Sequence, residues 1–142
     1  MSSLKTALGG YVGYKGREGQ LSFLLHRITG LGTGLFLTIH ILDTATVYFN
    51  PPLYIKAIEL YRTTPVMLGE IVLVFCVLYH GVNGLRIAYY DLLAPKNWAI
   101  PAARTSAIWT LIIAVILWLP AMVMMMRSLL MYNYGLFGGA GG

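Results

Sequence analysis

The feature that most constrains this chain is an uncharged hydrophobic run of twenty residues, Ala107 to Met126. A helix of about 20 residues crosses the roughly 30 Å hydrocarbon core of a bilayer. Two further hydrophobic runs, near residues 22–47 and 65–88, are long enough to cross but contain ionisable side chains. The three transmembrane helices that this pattern predicts cover about residues 22–48, 65–92 and 105–132.

The composition supports a membrane protein. Of the 142 residues, 58% are hydrophobic and only 11% are charged, whereas a soluble domain carries about 25% charged residues. The basic excess, ten Lys and Arg against five Asp and Glu, is too small for a nucleic-acid surface. The single cysteine, Cys76, has no second thiol for a disulfide or a metal site and is interpreted as a packing residue. We expect one all-α integral membrane domain over residues 1–142.

Two segments outside the spans have recognisable patterns. Residues 50–52, Asn-Pro-Pro, mark a turn, and from Tyr54 to Tyr61 hydrophobic side chains recur at helical spacing opposite three charged residues. This amphipathic pattern predicts a short interfacial helix between the first and second spans. The glycine-rich tail, residues 135–142, is predicted to be flexible.

The ten basic residues are divided unevenly between the two sides of the predicted helices. Seven accompany the N-terminus and the loop between the second and third spans: Lys5, Lys15, Arg17, Arg27, Arg86, Lys96 and Arg104. The other side has Lys56, Arg62 and Arg127. The positive-inside rule places the N-terminal side in the bacterial cytoplasm or the mitochondrial matrix, and the C-terminus on the opposite side. The first hydrophobic run is longer than the core of a signal peptide, so we expect the N-terminal segment to be retained.

All three histidines lie in predicted spans, where an ionisable side chain is costly and usually faces protein, water or a cofactor. His80 has Cys76 one helical turn before it and Gly84 one turn after it, on the same helix face. These small residues leave room for a flat ligand, and neutral imidazole is a good ligand for iron. Haem ligation is one interpretation of His80, and close helix packing is the other.

Ser22, His26 and Arg27 lie together near the start of the first span. Arg27 either extends to the lipid headgroups or helps the other two side chains to bind a quinone carbonyl or a haem propionate, because a guanidinium suits carboxylates. Gly30 and Gly34, spaced as G-x-x-x-G, predict close contact with another helix.

The depths of the histidines bear on haem ligation. We take Ser22 and Asp91 as the ends of the first two spans on the N-terminal side. A rise of 1.5 Å per residue then places His26 at roughly 6 Å, His80 at roughly 16 Å and His40 at roughly 27 Å. Neither of the other histidines is level with His80 in this calculation. We therefore expect a second polypeptide to supply the other ligand of a six-coordinate haem.

His40 and Asp43 lie one helical turn apart near the other side of the membrane, with Glu70 and Arg127 at a comparable depth. A structural polar cluster is one interpretation. In the alternatives, His40 is a second haem ligand, or the group forms a proton route.

The motifs in the first two spans together resemble those of the cytochrome b membrane anchor of succinate dehydrogenase, respiratory complex II. In that family the first helix has a serine shortly before His-Arg-x-Ser/Thr-Gly, matched here by Ser22 and residues 26–30. The second has His-x-x-x-Gly-x-Arg followed by an aromatic residue and an aspartate, matched here by His80, Gly84, Arg86, Tyr90 and Asp91. The resemblance covers about residues 20–92, and the third span matches only in hydrophobicity.

The resemblance implies a haem b site. In it, His80 is an axial ligand of the haem iron, and the opposite ligand comes from a second membrane-anchor subunit. His26 and Arg27 are implied to reach the haem propionates, and Gly84 and Arg86 to belong to the pocket.

The resemblance also implies that Ser22 and Arg27 line a quinone site near an iron-sulfur subunit. Two departures from the family pattern affect these roles. Three residues separate Ser22 from His26 instead of two, which rotates the hydroxyl by about 100°. Ile87 stands where the family usually has a histidine or an aromatic residue, which removes one propionate partner.

The function that the resemblance implies is that of an anchor in a succinate dehydrogenase of the tricarboxylic acid cycle and electron transport. Electrons would pass from succinate through FAD and iron-sulfur clusters, held by a flavoprotein and an iron-sulfur subunit, to ubiquinone or menaquinone. This chain would perform no dehydrogenation itself. The alternatives are the anchor of a quinol:fumarate reductase and a small multi-span transporter or assembly component. The expected location is the bacterial cytoplasmic membrane or the mitochondrial inner membrane.

Overall fold

The computed structural model describes residues 17–97 and 100–136, and within them the chain is almost entirely helical. The elements are α1 (Arg17–Phe49), α2 (Pro51–Tyr61), α3 (Thr64–Leu92), a 3-10 turn (Pro95–Asn97) and α4 (Ile100–Tyr134). The described residues contain no strand. Helices α1, α3 and α4 are each long and apolar enough to cross a membrane, and α2 is a shorter helix between the first two. The predicted fold class is confirmed.

Proline and asparagine determine where the central helices begin. Asn50 is the N-cap of α2, where its side chain accepts a hydrogen bond from the backbone N–H of Leu53. Pro51 and Pro52 occupy the first turn of α2, and Pro65 that of α3, where a missing N–H leaves no hydrogen bond unmade. These residues produce a sharp reversal from α1 through α2 into α3.

Helix α3 lies between the other two spanning helices. It packs against α1 through a small set of buried side chains that includes Tyr79 and Asn83. On its other side it packs against α4, where the indole N–H of Trp118 donates a 2.9 Å hydrogen bond to the backbone oxygen of Ile71. Helix α3 therefore contacts both of the other spanning helices, and its side chains line the contacts on each side.

Helices α1 and α4 are longer than a bilayer core requires. Their 33 and 35 residues correspond to lengths of about 50 Å. Near their starts, Arg104 of α4 forms a 3.1 Å ion pair with Glu18 of α1. At its far end, α4 closes at Gly135, whose φ of 63° lies in the left-handed region, and the N–H of Leu136 bonds the carbonyl of Leu130. The predicted flexible tail begins here, and residues 137–142 lie outside the described part of the chain.

The outer surface of the three long helices is strongly apolar. Large side chains such as Leu31 and Leu85 are 77% and 74% exposed. Continuous apolar surface on this scale belongs in lipid or against other protein. Together with the three spans, it establishes the chain as an integral membrane protein.

Candidate functional site

His26 of α1 and His80 of α3 form the centre of the candidate site. Their imidazole rings are stacked, with centroids 4.1 Å apart and planes 3° from parallel. Nδ1 of His80 lies 3.1 Å from the backbone oxygen of His26. Because a carbonyl oxygen can only accept, Nδ1 carries a proton, and in the neutral imidazole Nε2 keeps its lone pair. This arrangement, in which one ring nitrogen is bonded to a carbonyl, is typical of a metal-ligating histidine.

Gly30 provides the space that the His80 ring occupies. A Cβ atom at Gly30 would lie 2.8 Å from Cε1 and 3.0 Å from Nδ1 of His80, which is closer than carbon atoms pack. Gly30 was interpreted as a point of close contact with another helix, and the group it contacts is the His80 ring of α3. A Cβ at Gly84, which was expected to provide clearance, would make only an ordinary 3.8 Å contact with Cε1 of His26.

An open groove of about 760 Å³ runs along α1 beside the two histidines. We call it the histidine groove; its polar and small lining residues are His26, Arg27, Gly30, Gly34 and His80, and its apolar ones are Leu31 and Leu35. Arg27 is exposed, and its guanidinium lies 4.6 Å above the ring of Phe23. The groove thus combines an imidazole with a free lone pair, a cation and an apolar wall.

Ser22 faces a different surface from Arg27. It is 4% exposed, and its hydroxyl donates to Oδ1 of Asn83 at 3.1 Å. The same hydroxyl oxygen of Ser22 accepts hydrogen bonds from the Tyr79 hydroxyl at 3.2 Å and from Nη1 of Arg86 at 2.9 Å. We call these four residues of α1 and α3 the Ser22 cluster. The expected pairing of Ser22 with Arg27 around one quinone is not present, because the five-residue separation turns the two side chains about 140° apart.

Arg86 lies outside the histidine groove. Its Nη1 also donates to Oδ1 of Asn83 at 3.0 Å, and the side chain lines a second groove between α3 and α4. Arg86 thus lines a different groove from His26, Arg27 and His80, although all four were assigned to one haem pocket, and its charge still acts electrostatically on His26.

The predicted offset of about 10 Å in depth between His26 and His80 is wrong, because their rings are in contact. The error lies in the two reference residues. Ser22 is level with Asn83, eight residues before Asp91, so the second reference point was displaced by about 12 Å. The rise per residue gives the relative depths of residues within one helix. It does not give the shift of one helix along its axis relative to a neighbouring helix.

The stacking nevertheless supports the expectation that another chain supplies the second axial ligand. Two axial imidazoles must point a nitrogen at the iron from opposite sides. His26 and His80 face each other through their ring planes, so they do not hold an iron between them. His40 follows His26 by fourteen residues, about 21 Å along α1, and stacks on Phe36 at 5.5 Å. It therefore cannot bind the same iron atom as His80.

The polar group at the far end of α1 differs from the one predicted. The hydroxyl of Tyr61 in α2 donates a hydrogen bond to the carboxylate of Asp43, and Glu70 also acts on that hydroxyl electrostatically. Burial and this hydrogen bond raise the pKa of Tyr61 above its usual value. In the part of the chain that the structure describes, Arg127 forms no ion pair with these residues. The cluster ties α1 to α2 through Tyr61, which the sequence analysis did not single out.

Comparison with known proteins identifies the family of this chain. The model of the succinate dehydrogenase/fumarate reductase transmembrane subunit family matches residues 12–130. The chain belongs to this family. It is also similar to the succinate dehydrogenase 2 membrane subunit SdhC of Mycobacterium tuberculosis, with 38% identity over 78 residues. That alignment covers 55% of this chain and 57% of the relative, so the chain spans little more than half of the relative's length. The family predicted from the two motifs is confirmed, and His26 and His80 lie in its transmembrane region.

Proposed function

We propose that this chain is the haem b-binding membrane anchor of a succinate:quinone oxidoreductase and forms part of its quinone-reduction site. The observation that carries the proposal is the His80 imidazole, whose Nδ1 is bonded to the His26 carbonyl and whose lone pair on Nε2 is left for a metal. Family membership supports the anchor role.

The residues of the histidine groove fit a haem. His80 supplies one nitrogen ligand, and Gly30 gives its ring the necessary space. Arg27 supplies a positive charge at the same groove for a propionate carboxylate. Nδ1 of His26 is buried and has no hydrogen-bond partner among the described residues, so in its protonated form it would donate to a propionate oxygen of the bound haem. When bound, haem b supplies a one-electron redox centre in the membrane.

His26 acts as a positioning residue in this proposal. Its backbone carbonyl sets the tautomer of His80, and its ring lies flat against the His80 ring. The ligand is therefore held in one orientation before haem binds, which reduces the entropic cost of ligation. A second anchor subunit would supply the opposite ligand.

Arg27 is the residue of this chain proposed to contact the quinone. Its guanidinium is exposed at the mouth of the groove and would donate hydrogen bonds to a quinone carbonyl, favouring the negative charge that develops there on reduction. Ser22 would act indirectly, because its hydroxyl proton is already donated to Asn83. Succinate oxidation would occur in a flavoprotein subunit and reach the quinone through an iron-sulfur subunit.

A reduced-minus-oxidised visible spectrum of the intact complex tests the proposal. Reduction with dithionite should reveal a b-type haem, and reduction with succinate should reach at least part of the same signal. An intact complex that contains no haem would contradict the assignment of His80. Comparing succinate oxidation with quinol-dependent fumarate reduction then distinguishes the two activities that the family name covers.

A further inference from the structure

A second groove, of about 590 Å³, lies between α3 and α4. We call it the α3–α4 groove. Its lining includes Arg86 and Leu85 from α3 and Thr105, Ser106, Trp109 and Ile113 from α4. None of these residues lines the histidine groove, so the chemistry of the α3–α4 groove requires its own explanation.

Arg86 brings a positive charge to this groove without a matching negative one. Its Nη1 donates to neutral oxygens, those of Ser22 and Asn83. Its Nε is buried and has no hydrogen-bond partner among the described residues. All five Asp and Glu side chains lie in the described part of the chain, yet the ion pair found there joins Arg104 to Glu18. An unpaired guanidinium within a span is unfavourable and calls for an anion.

The hydroxyl groups of the groove do not replace that anion. Ser106 donates its proton to the backbone oxygen of Ala103 at 3.1 Å, and Thr110 donates to the backbone oxygen of Ser106 at 2.8 Å. The oxygens of both hydroxyls can still accept a hydrogen bond, but they are neutral and cannot balance the charge of Arg86. The described residues that line the α3–α4 groove include no Asp or Glu, so none of them carries a negative charge opposite Arg86.

The polarity of the groove changes along the membrane normal. Arg86 lies six residues before the end of α3, and Ser106 lies six residues after the start of α4, so both are about 9 Å from the adjoining helix ends. Trp109 and Ile113 follow about one and two turns deeper, and they are 59% and 45% exposed. A cationic upper end above an apolar lower end matches a phosphate joined to an acyl chain. Basic sites between transmembrane helices are suited to anionic lipid headgroups.

We propose that the α3–α4 groove binds one anionic phospholipid. Its phosphate pairs with Arg86, and an acyl chain lies along Leu85, Trp109 and Ile113. The residues that line this site differ from those that line the histidine groove, although Arg86 also belongs to the Ser22 cluster. Binding would also link α3 to α4 beside the Ser22 cluster.

The test measures phospholipid retained by the purified complex after prolonged detergent washing, identified by class with mass spectrometry. Arg86→Gln removes the charge, and Thr105→Trp fills the groove while leaving Arg86 in place. Arg62→Gln is the control, because Arg62 lies over the ring of Tyr132 and away from this groove. We expect about tenfold weaker retention of anionic lipid in both groove variants and no change in the control.

Thr105→Trp is the decisive variant, because Arg86→Gln also disturbs the Ser22 cluster. Wild-type lipid retention by an intact Thr105→Trp complex would overturn the proposal. So would equal retention of zwitterionic and anionic lipids by the wild-type complex in nanodiscs that contain both. Haem content, measured in the same preparations, should stay normal in Thr105→Trp, which separates this test from that of the proposed function.

A photo-crosslinking variant, Thr105→p-benzoylphenylalanine, identifies the occupant directly. In native membranes, an adduct with the mass of an anionic phospholipid supports the proposal. An adduct with another protein chain would show that a partner covers the groove and would overturn it.

Discussion

The backbone carbonyl of His26 and the ring of the same residue contact His80 in two different ways. The carbonyl accepts the Nδ1 proton at 3.1 Å, while the imidazole covers one face of the His80 ring at 4.1 Å. One residue thus determines both the tautomer and the orientation of the candidate ligand. Substitution at His26 removes the stacking contact but retains the carbonyl, so the two contributions can be measured separately.

We predict that His80→Ala abolishes most of the b-type haem signal, because the axial ligand proposed for this chain is lost. The measurement is the dithionite-reduced spectrum of the purified complex, normalised to protein. His40→Ala is a matched control, since His40 is exposed and stacks on Phe36. A normal spectrum in an intact His80→Ala complex would exclude His80 as a ligand.

His26→Ala should retain haem but change its properties. The backbone carbonyl that holds Nδ1 of His80 is still present in this variant, whereas the stacked ring is absent. We expect a shifted reduction potential and weaker haem retention, because the ligand is less firmly oriented. Redox titration of the complex measures the shift. A potential and a haem content equal to those of the wild type would show that the ring has no positioning role.

Gly30→Ala should displace the His80 imidazole. The new Cβ would lie 2.8 Å from Cε1 of His80, and overpacking of this kind costs about 1–3 kcal/mol. We expect lower haem occupancy and a lower thermal midpoint of the complex. Gly81→Ala serves as the control, because a Cβ there has no atom within 4 Å and should leave haem unaffected. Equal behaviour of the two variants would argue against a tight fit at Gly30.

Arg27→Ala should impair quinone reduction selectively. Loss of a charge-assisted hydrogen bond to the carbonyl is expected to lower kcat/KM for quinone about 10- to 100-fold. Succinate oxidation with an artificial soluble acceptor should continue, since that activity does not require the membrane site. Arg127→Ala, at the other end of the chain's spans, is the control. Equal loss of both activities in Arg27→Ala would indicate an assembly defect.

Ser22→Ala should destabilise the contact between α1 and α3. It leaves the Tyr79 hydroxyl and Nη1 of Arg86 with one acceptor fewer, and each buried polar group left unsatisfied costs about 1–3 kcal/mol. The thermal midpoint of the complex should fall. Thr38→Ala is a useful control, because the Thr38 hydroxyl is exposed and bonds its own helix. Similar midpoints for the two variants would show that the Ser22 cluster adds little stability.

The sequence predicted the helices better than their contacts. Length and hydropathy identify a span such as residues 107–126 because the bilayer imposes one thickness on all of them. The proline turn similarly predicts α2. The axial offset between α1 and α3 depends instead on which side chains interlock, as Ser22 does with Asn83. That information is absent from either helix alone.

In the candidate site, too, the sequence of one helix predicted features within that helix but not its contacts with other helices. The spacing of His80 and its neighbours identified a ligand candidate. The need for glycine at position 30 became apparent only when the opposing ring was located. Likewise, the choice of Tyr61 as the partner of Asp43 depends on how α2 folds back. A search for partners on adjoining helices, including α2, would have found it.

The length of α1 and α4 has a mechanical consequence. Each is about 50 Å long, whereas a bilayer core is roughly 30 Å thick. We call the starts of α1 and α4, where Glu18 and Arg104 join the two helices, the pedestal. A protein seated on this pedestal would be coupled by continuous helix, without a hinge, to the His26 ring only about two turns below Glu18. Small rotations of that protein would therefore reach the histidines directly.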